Sequence, residues 1–398
     1  MTRAAASETD AKARDAAGRV LTTWGFLCRG RGDAASARDA MERARALATS
    51  AGDRASTIAM SALLDARTKP TETPWGAIDA MLHRVLHVKA RDGDGTRTAV
   101  LGARVLSALT RFRQADALEA AMQCDAVARD LSDENLELAQ ESPHGWAVAT
   151  ALKTLGHVER LRGDAGRALE LYERASEYAE NVSRSEHVGA MASRYIADEI
   201  KVDCSLALAQ VYAETGDLES AETAAATALS GAEALGDERH PRVGVAIAAS
   251  GDVYVAKALR ASTAEAGMGD GAGVMFAEGL YNSALKLMHY PNPVEDAHVG
   301  ELDYEARHLC AVLHARYSSI LRASGPQRAS EADKWLASAK FLWPDEWANE
   351  EGGVNGDAVV TKLATKLGVR HGGRIVIDMQ QLTPFVLLEE TKHKRSNG

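Results

Sequence analysis

Aromatic residues make up only 5% of this 398-residue chain, and there are only 9 prolines. Apolar residues nevertheless reach 46%, so the apolar content is mostly alanine, leucine and valine. Alanine loses least on entering a helix and lets helices approach closely, and few prolines leave long stretches unbroken. Packed helices are therefore expected. Positive charge is also in deficit, with 46 basic residues against 56 acids and a net charge of -10. That balance excludes a nucleic-acid binder that works through overall charge. The four cysteines, Cys28, Cys124, Cys204 and Cys310, form no CxxC pair, which removes the common zinc and redox motifs. Each lies in a helical pattern, so reduced, buried thiols are expected. No apolar run approaches the roughly 20 residues that span a bilayer, so no membrane insertion is expected. The opening MTRAAASETDAKARDAAGR lacks the apolar core of a secretory signal. Its Ala and Arg content suits an organelle transit peptide, but Glu8, Asp10 and Asp15 do not. The expectation is a soluble, intracellular, cytoplasmic protein, with mitochondrion or plastid as the alternative.

What is present is self-similarity. In ALKTLGHVERLRGDAGRALELYERA, residues 151–175, Leu152, Leu155 and Gly156 share one helical face. Gly163-Asp164 makes a turn, and Ala168, Tyr172 and Ala175 line a second helix. The small residues let two helices come close while the large ones fill the space around them. The register recurs in Leu208, Ala209, Tyr212, Gly216-Asp217, Ala221, Ala225 and Ala228. It recurs near the N-terminus in Leu21, Trp24, Gly25, Cys28, Gly32-Asp33, Ala37, Met41 and Ala44. A fourth unit has Ile247, Gly251 and Tyr254 facing Ala277, Tyr281 and Ala284. A fifth runs through Tyr317, Ser318, Leu321, Gly325, Leu336, Ala339 and Pro344. Residues 100–128 carry a blurred copy, and residues 55–90 another pair of helices.

This large–large-small, turn, small–aromatic–small order resembles the tetratricopeptide repeat. The units are spaced more widely than the about 34 residues usual for that repeat. ALGDERHPRVGVAIAASGDVY resembles repeats of the kinesin-light-chain type, and RARALATSAGD and ALSGAEALGD resemble those of MalT-like regulators. The resemblance implies an all-α fold, a right-handed α-solenoid of helix hairpins. Residues 1–130 are read as partly degenerate N-terminal repeats, and 131–344 as a central solenoid with a flexible glycine-rich insertion at 258–275. Residues 345–398 are read as a capping helix from Asp357 to Gly368 followed by a tail, in which RIVID and PFVLL are short extended pieces.

Patterns that would carry chemistry are incomplete. His83 and His87 have the four-residue spacing of a metal pair but no third ligand. RDGDGTRT at 91–98 opens like a calcium loop but has Arg97 and Ala103 where glycine and glutamate belong. The glycines at 267, 269, 271 and 273 follow no strand and precede no GKS or GKT. No catalytic residue, metal or cofactor is assigned, and a non-enzymatic protein is expected.

In tetratricopeptide arrays the first helix of each unit lines a concave groove, through its fifth, ninth and twelfth positions. The resemblance thus assigns Arg29, Lys153, His157, Arg160, Gln210, Asp252 and Arg322 to partner binding. Arg29, Lys153, Arg160 and Arg322 are cationic and only Asp252 is acidic, so a positive groove is expected, for an acidic segment or a free C-terminus. The asparagines of the chaperone-tail clamp are missing, which disfavours that partner. The acidic stretch 198–240 is a solvated face, or else a dock for a basic partner. The leading reading is an interaction scaffold or assembly factor that binds a peptide or protein segment. The alternatives are a MalT-like regulator sensing a small molecule, and an enzyme with its site in the C-terminal segment.

Overall fold

The computed structural model describes residues 2–30, 33–50, 146–184, 191–235, 241–264, 271–288, 290–294, 304–343, 374–378 and 383–387. A few positions between 53 and 61, and Val360, are described besides. These residues are helical apart from one strand pair and the short connections. In chain order the helices are α1 (Thr2–Gly30), α2 (Ala34–Leu47), α3 (Trp146–Arg162), α4 (Ala165–Ser183) and α5 (Met191–Thr215). There follow α6 (Leu218–Leu235), α7 (Pro241–Ala264), α8 (Gly271–Leu287), α9 (Tyr304–Ala323) and α10 (Ala329–Leu342). Strands β1 (Arg374–Asp378) and β2 (Thr383–Leu387) come last. The chain divides into two compact units.

The first unit comprises Met1–Leu155, Leu171–Lys201 and Leu235–Asp237. Its α1 and α2 form a hairpin with Cys28, Ala37, Met41 and Ala44 buried as the register expects, whereas Trp24, which the register also selects, is 48% exposed. A Cβ at Gly25 would lie 3.2 Å from the Ala37 carbonyl oxygen and from Met41 Sδ, so glycine sets the closeness of the pair. Asp33 caps α2 by accepting the Ser36 N–H at 2.9 Å. Beyond α2, Thr49 donates its N–H (2.6 Å) and hydroxyl (2.8 Å) to Asp15, tying the departing chain back to α1. Lys201 of α5 bridges Glu180 at 2.5 Å and Asp198 at 3.1 Å, and Ser183 donates to Asp198 at 2.6 Å.

The second unit comprises Gly156–Glu170, Val202–Ala234 and Glu238–Gly398. Its first two turns follow from the repeated Gly-Asp pair. Gly163 (φ 91°) and Gly216 (φ 90°) take the left-handed conformation that ends a helix and costs glycine nothing. The aspartate that follows starts the next helix: Asp164 accepts the Arg167 N–H at 2.9 Å and Asp217 that of Ser220 at 3.2 Å.

Alanines 209, 221 and 225 bring α5 and α6 together and pack on Val253 of α7, so one hairpin is joined to the next. On α7, a Cβ at Gly251 would come within 2.8 Å of the Tyr281 ring of α8. In α9 and α10 the equivalent approach is at Ser318, whose hydroxyl donates to the Ala332 carbonyl at 2.7 Å. There the buried large residue is Trp335, set edge-on to His314 and Tyr317 at centroid distances of 4.7 and 4.8 Å. Leu336, which the repeat register selects, is only half-buried.

Tyr290–Val294 is fixed by His314. Its Nε2–H donates to the Tyr290 carbonyl (3.4 Å), which leaves Nδ1 to accept the Ser338 hydroxyl (2.9 Å). The same Ser338 oxygen accepts the Val294 N–H at 2.7 Å. Burial pushes the His314 pKa down to about 3, so the ring is neutral.

RIVID and TPFVL are extended and pair antiparallel, from Arg374 opposite Leu387 to Asp378 opposite Thr383, with β2 against α9. The insertion read at 258–275 is narrower than expected. Helix α7 continues to Ala264, because Ala258–Ala264 (ALRASTA) is rich in helix formers, and α8 already begins at Gly271. Only 265–270 remains between them, outside the described residues. The helix pair at 55–90, the copy at 100–128, Cys124, His83, His87, the 91–98 turn and Pro344 lie outside them in whole or in large part. So does the capping helix except Val360, which is helical and buried.

Candidate functional site

The site begins with charges that the sequence places on otherwise apolar first helices. Asp252 sits in VGVAIAASGDVYVAKAL and Arg316 in HLCAVLHARYSSI. A charge in such a setting must find a partner when buried. Asp252 is 4% exposed; it accepts a hydrogen bond from Arg316 Nη1 at 2.5 Å and another from the Tyr281 hydroxyl. Burial pushes the Asp252 carboxyl up from its usual range, while the Arg316 guanidinium and the Tyr281 hydroxyl pull it back down. The Tyr281 hydroxyl is pushed well up, first by burial and then by the Asp252 charge.

A second cluster continues the row. Arg160 of α3 is 4% exposed and donates through Nη1 to Gln210 Oε1 at 2.5 Å. Through Nε (3.2 Å) and Nη2 it holds the Glu214 carboxylate. Gln210 and Glu214 are four apart on α5 and therefore share a face. Gln210 is 2% exposed, whereas the Glu214 side chain is 24% exposed and meets solvent. The two clusters are electrostatically continuous, since Arg160 acts on Asp252 and Glu214 on Arg316.

Four first helices, α3, α5, α7 and α9, thus supply Arg160, Gln210, Glu214, Asp252 and Arg316, and the second helix α8 adds Tyr281. Each carboxylate is held by a guanidinium, so these groups orient and hold.

The sequence-assigned residues are distributed as follows. Arg160, Gln210 and Asp252 belong to the row. Lys153 and His157 are fully buried in α3, which is enclosed around almost its whole circumference. Arg322 is exposed and pairs with Asp333 of α10 at 2.6 Å, apart from the row. Arg29 lies in α1, and its side chain is outside the described residues.

Two expectations are corrected. The assigned side chains do not line an open, solvated surface, because five of them are buried. Nor does Arg160 stand as a free cation, because it is paired with Glu214, which the three-position register passes over. Reversing Lys153 and Arg160 to glutamate would therefore bury new carboxylates, and the fold would not survive it unchanged.

Part of the acidic stretch is answered internally, while Glu219 and Glu233 are exposed. Glu199 and Asp203 are buried, Glu214 pairs with Arg160, Asp217 caps α6, and Glu222 pairs with Lys257 at 2.5 Å.

Glu214 and Arg316 fall outside the repeat register, and Tyr281 lies within it but not among its groove positions. Arg316 lies in the apolar stretch CAVLHARYSSIL, where a charge needs a partner once buried, and Tyr281 was read as a packing ring without its hydroxyl.

No known family model matches the chain, and no characterised protein matches it either. Among the described residues, no helix is long and apolar enough to cross a membrane. No group of three or more His, Cys, Asp or Glu side chains there is arranged to hold a metal ion.

Proposed function

We propose that this chain is a tetratricopeptide-type protein, a right-handed α-solenoid that binds a peptide or protein segment as a scaffold or assembly factor. The observation that carries this reading is the polar row from Arg160 to Arg316. Successive first helices contribute to it, while the interiors of the hairpins are closed by alanine, glycine and aromatic residues. A helical bundle built for stability alone gains little from burying charges such as Arg160 and Asp252, because well-packed apolar residues of similar volume do as well or better. A row carried by successive helices fixes the spacing of the hairpins, which suits a scaffold that holds an extended chain one unit at a time.

The test is affinity capture with the full chain, followed by titration of synthetic peptides tiled across each captured protein. Saturable one-to-one binding of one discrete segment supports the reading. Capture that maps to no segment, with a small molecule raising the melting temperature instead, would overturn it in favour of a ligand-sensing regulator.

A further inference from the structure

The charges of the row cancel. Arg160 and Arg316 stand against Glu214 and Asp252, each cation bonded to a carboxylate. What remains over is neutral. The guanidinium of Arg160 can only donate, so the amide oxygen of Gln210 must face it, and the amide nitrogen turns the other way. That nitrogen, Gln210 Nε2, is buried and has no hydrogen-bond partner. A buried donor left unsatisfied costs about 1–3 kcal/mol, and such groups are few in native proteins. One turn further along the same face of α5, the Glu214 side chain is 24% exposed and marks the end of the row that meets solvent.

We infer that Gln210 Nε2 is a ligand-binding donor, and that its ligand is an uncharged amide carbonyl of a bound polypeptide. With each carboxylate already paired, the row offers an anionic acceptor no net attraction to offset the loss of its hydration. A neutral carbonyl meets the leftover donor and leaves the balanced charges as they are. The inference rests on the peptide-binding reading above and narrows it: the bound group is main-chain or side-chain amide, where the sequence led to an acidic segment or a free carboxylate.

The probe is a random heptapeptide library without charged residues, acetylated and amidated at its ends, applied to the immobilised full chain. The same library with free C-terminal carboxylates runs in parallel. The test variant is Gln210→Glu, which keeps an acceptor for Arg160 and removes the donor. Should it fail to fold, Gln210→Met withdraws both amide atoms without adding charge. The wild type is expected to retain capped peptides at least about tenfold better than the variant, the equivalent of one charge-neutral hydrogen bond and its desolvation. Equal retention by wild type and variant would overturn the inference, as would retention by the wild type of the free-acid library alone, or of neither library. A captured segment that binds wild type and Gln210→Glu equally would also overturn it, yet leave the peptide-binding reading standing. Failure of capture altogether would strike that reading itself.

Discussion

Tyr281 of α8 donates its hydroxyl hydrogen to the buried Asp252 carboxylate of α7, while its ring occupies the space beside Gly251. One side chain thus joins the packing of a hairpin to its polar row. The ring cannot retreat without releasing the carboxylate, and this makes Gly251 a sensitive position.

Gly251→Ala is expected to destabilise the protein by about 1–3 kcal/mol, because its Cβ would meet ring carbons at 2.8 Å. Gly279→Ala on α8 is the control, since nothing lies within 4 Å of its Cβ position. It should be neutral, or stabilising by up to about 1 kcal/mol, as alanine replaces glycine in a helix. Thermal denaturation of the two variants side by side checks this. Equal melting temperatures would mean that α7 and α8 do not approach through Gly251.

Arg316→Met is expected to cost about 3–5 kcal/mol, because it leaves the Asp252 carboxylate buried without its cation. The double variant Asp252→Leu with Arg316→Met should recover much of that loss, since an apolar pair removes the stranded charge. Urea denaturation of the two single variants, the double variant and the wild type gives the coupling. A double variant no better than Arg316→Met alone would show that the two side chains are not partners.

His314 gives the fold a pH dependence of fixed sign. Its folded pKa is pushed down to about 3 from the ordinary 6.5, so below pH 6.5 the unfolded chain takes up a proton that the folded chain refuses. Stability is full above pH 6.5 and falls as pH drops towards 3, by about 1.4 kcal/mol per pH unit from this group. His314→Gln keeps a polar group near Ser338 and removes the titration. Melting temperatures between pH 4.5 and 7 should therefore vary less in the variant than in the wild type. Parallel curves would show that His314 is not buried as a neutral ring.

The helix hairpins were legible because their signals are local. A Gly-Asp pair ends one helix and caps the next, and the small residues at Gly25 and Gly251 face Ala37 and Ala277 in the predicted register. The extended character of RIVID and PFVLL was equally plain, although their pairing was not anticipated. The site was less legible because polar partners are set by three-dimensional juxtaposition. Arg160 and Glu214 are 54 residues apart, and Asp252 and Arg316 are 64 apart, distances at which no sequence period reports contact. Counting charges along the first helices therefore gave a positive groove, whereas in the row from Arg160 to Arg316 each cation is paired with a carboxylate. The end of α7 was misjudged for another reason: the glycines that follow it drew the loop boundary back into a segment with strong helix propensity.

The most direct measurement is hydrogen exchange of the full chain, free and saturated with a segment identified by capture and peptide titration. Binding along the polar row predicts slowed exchange in residues 156–162 of α3 and in α5, α7 and α9, with α6 and α10 unchanged. Protection confined to α6 and α10, or to residues outside these hairpins, would contradict the account.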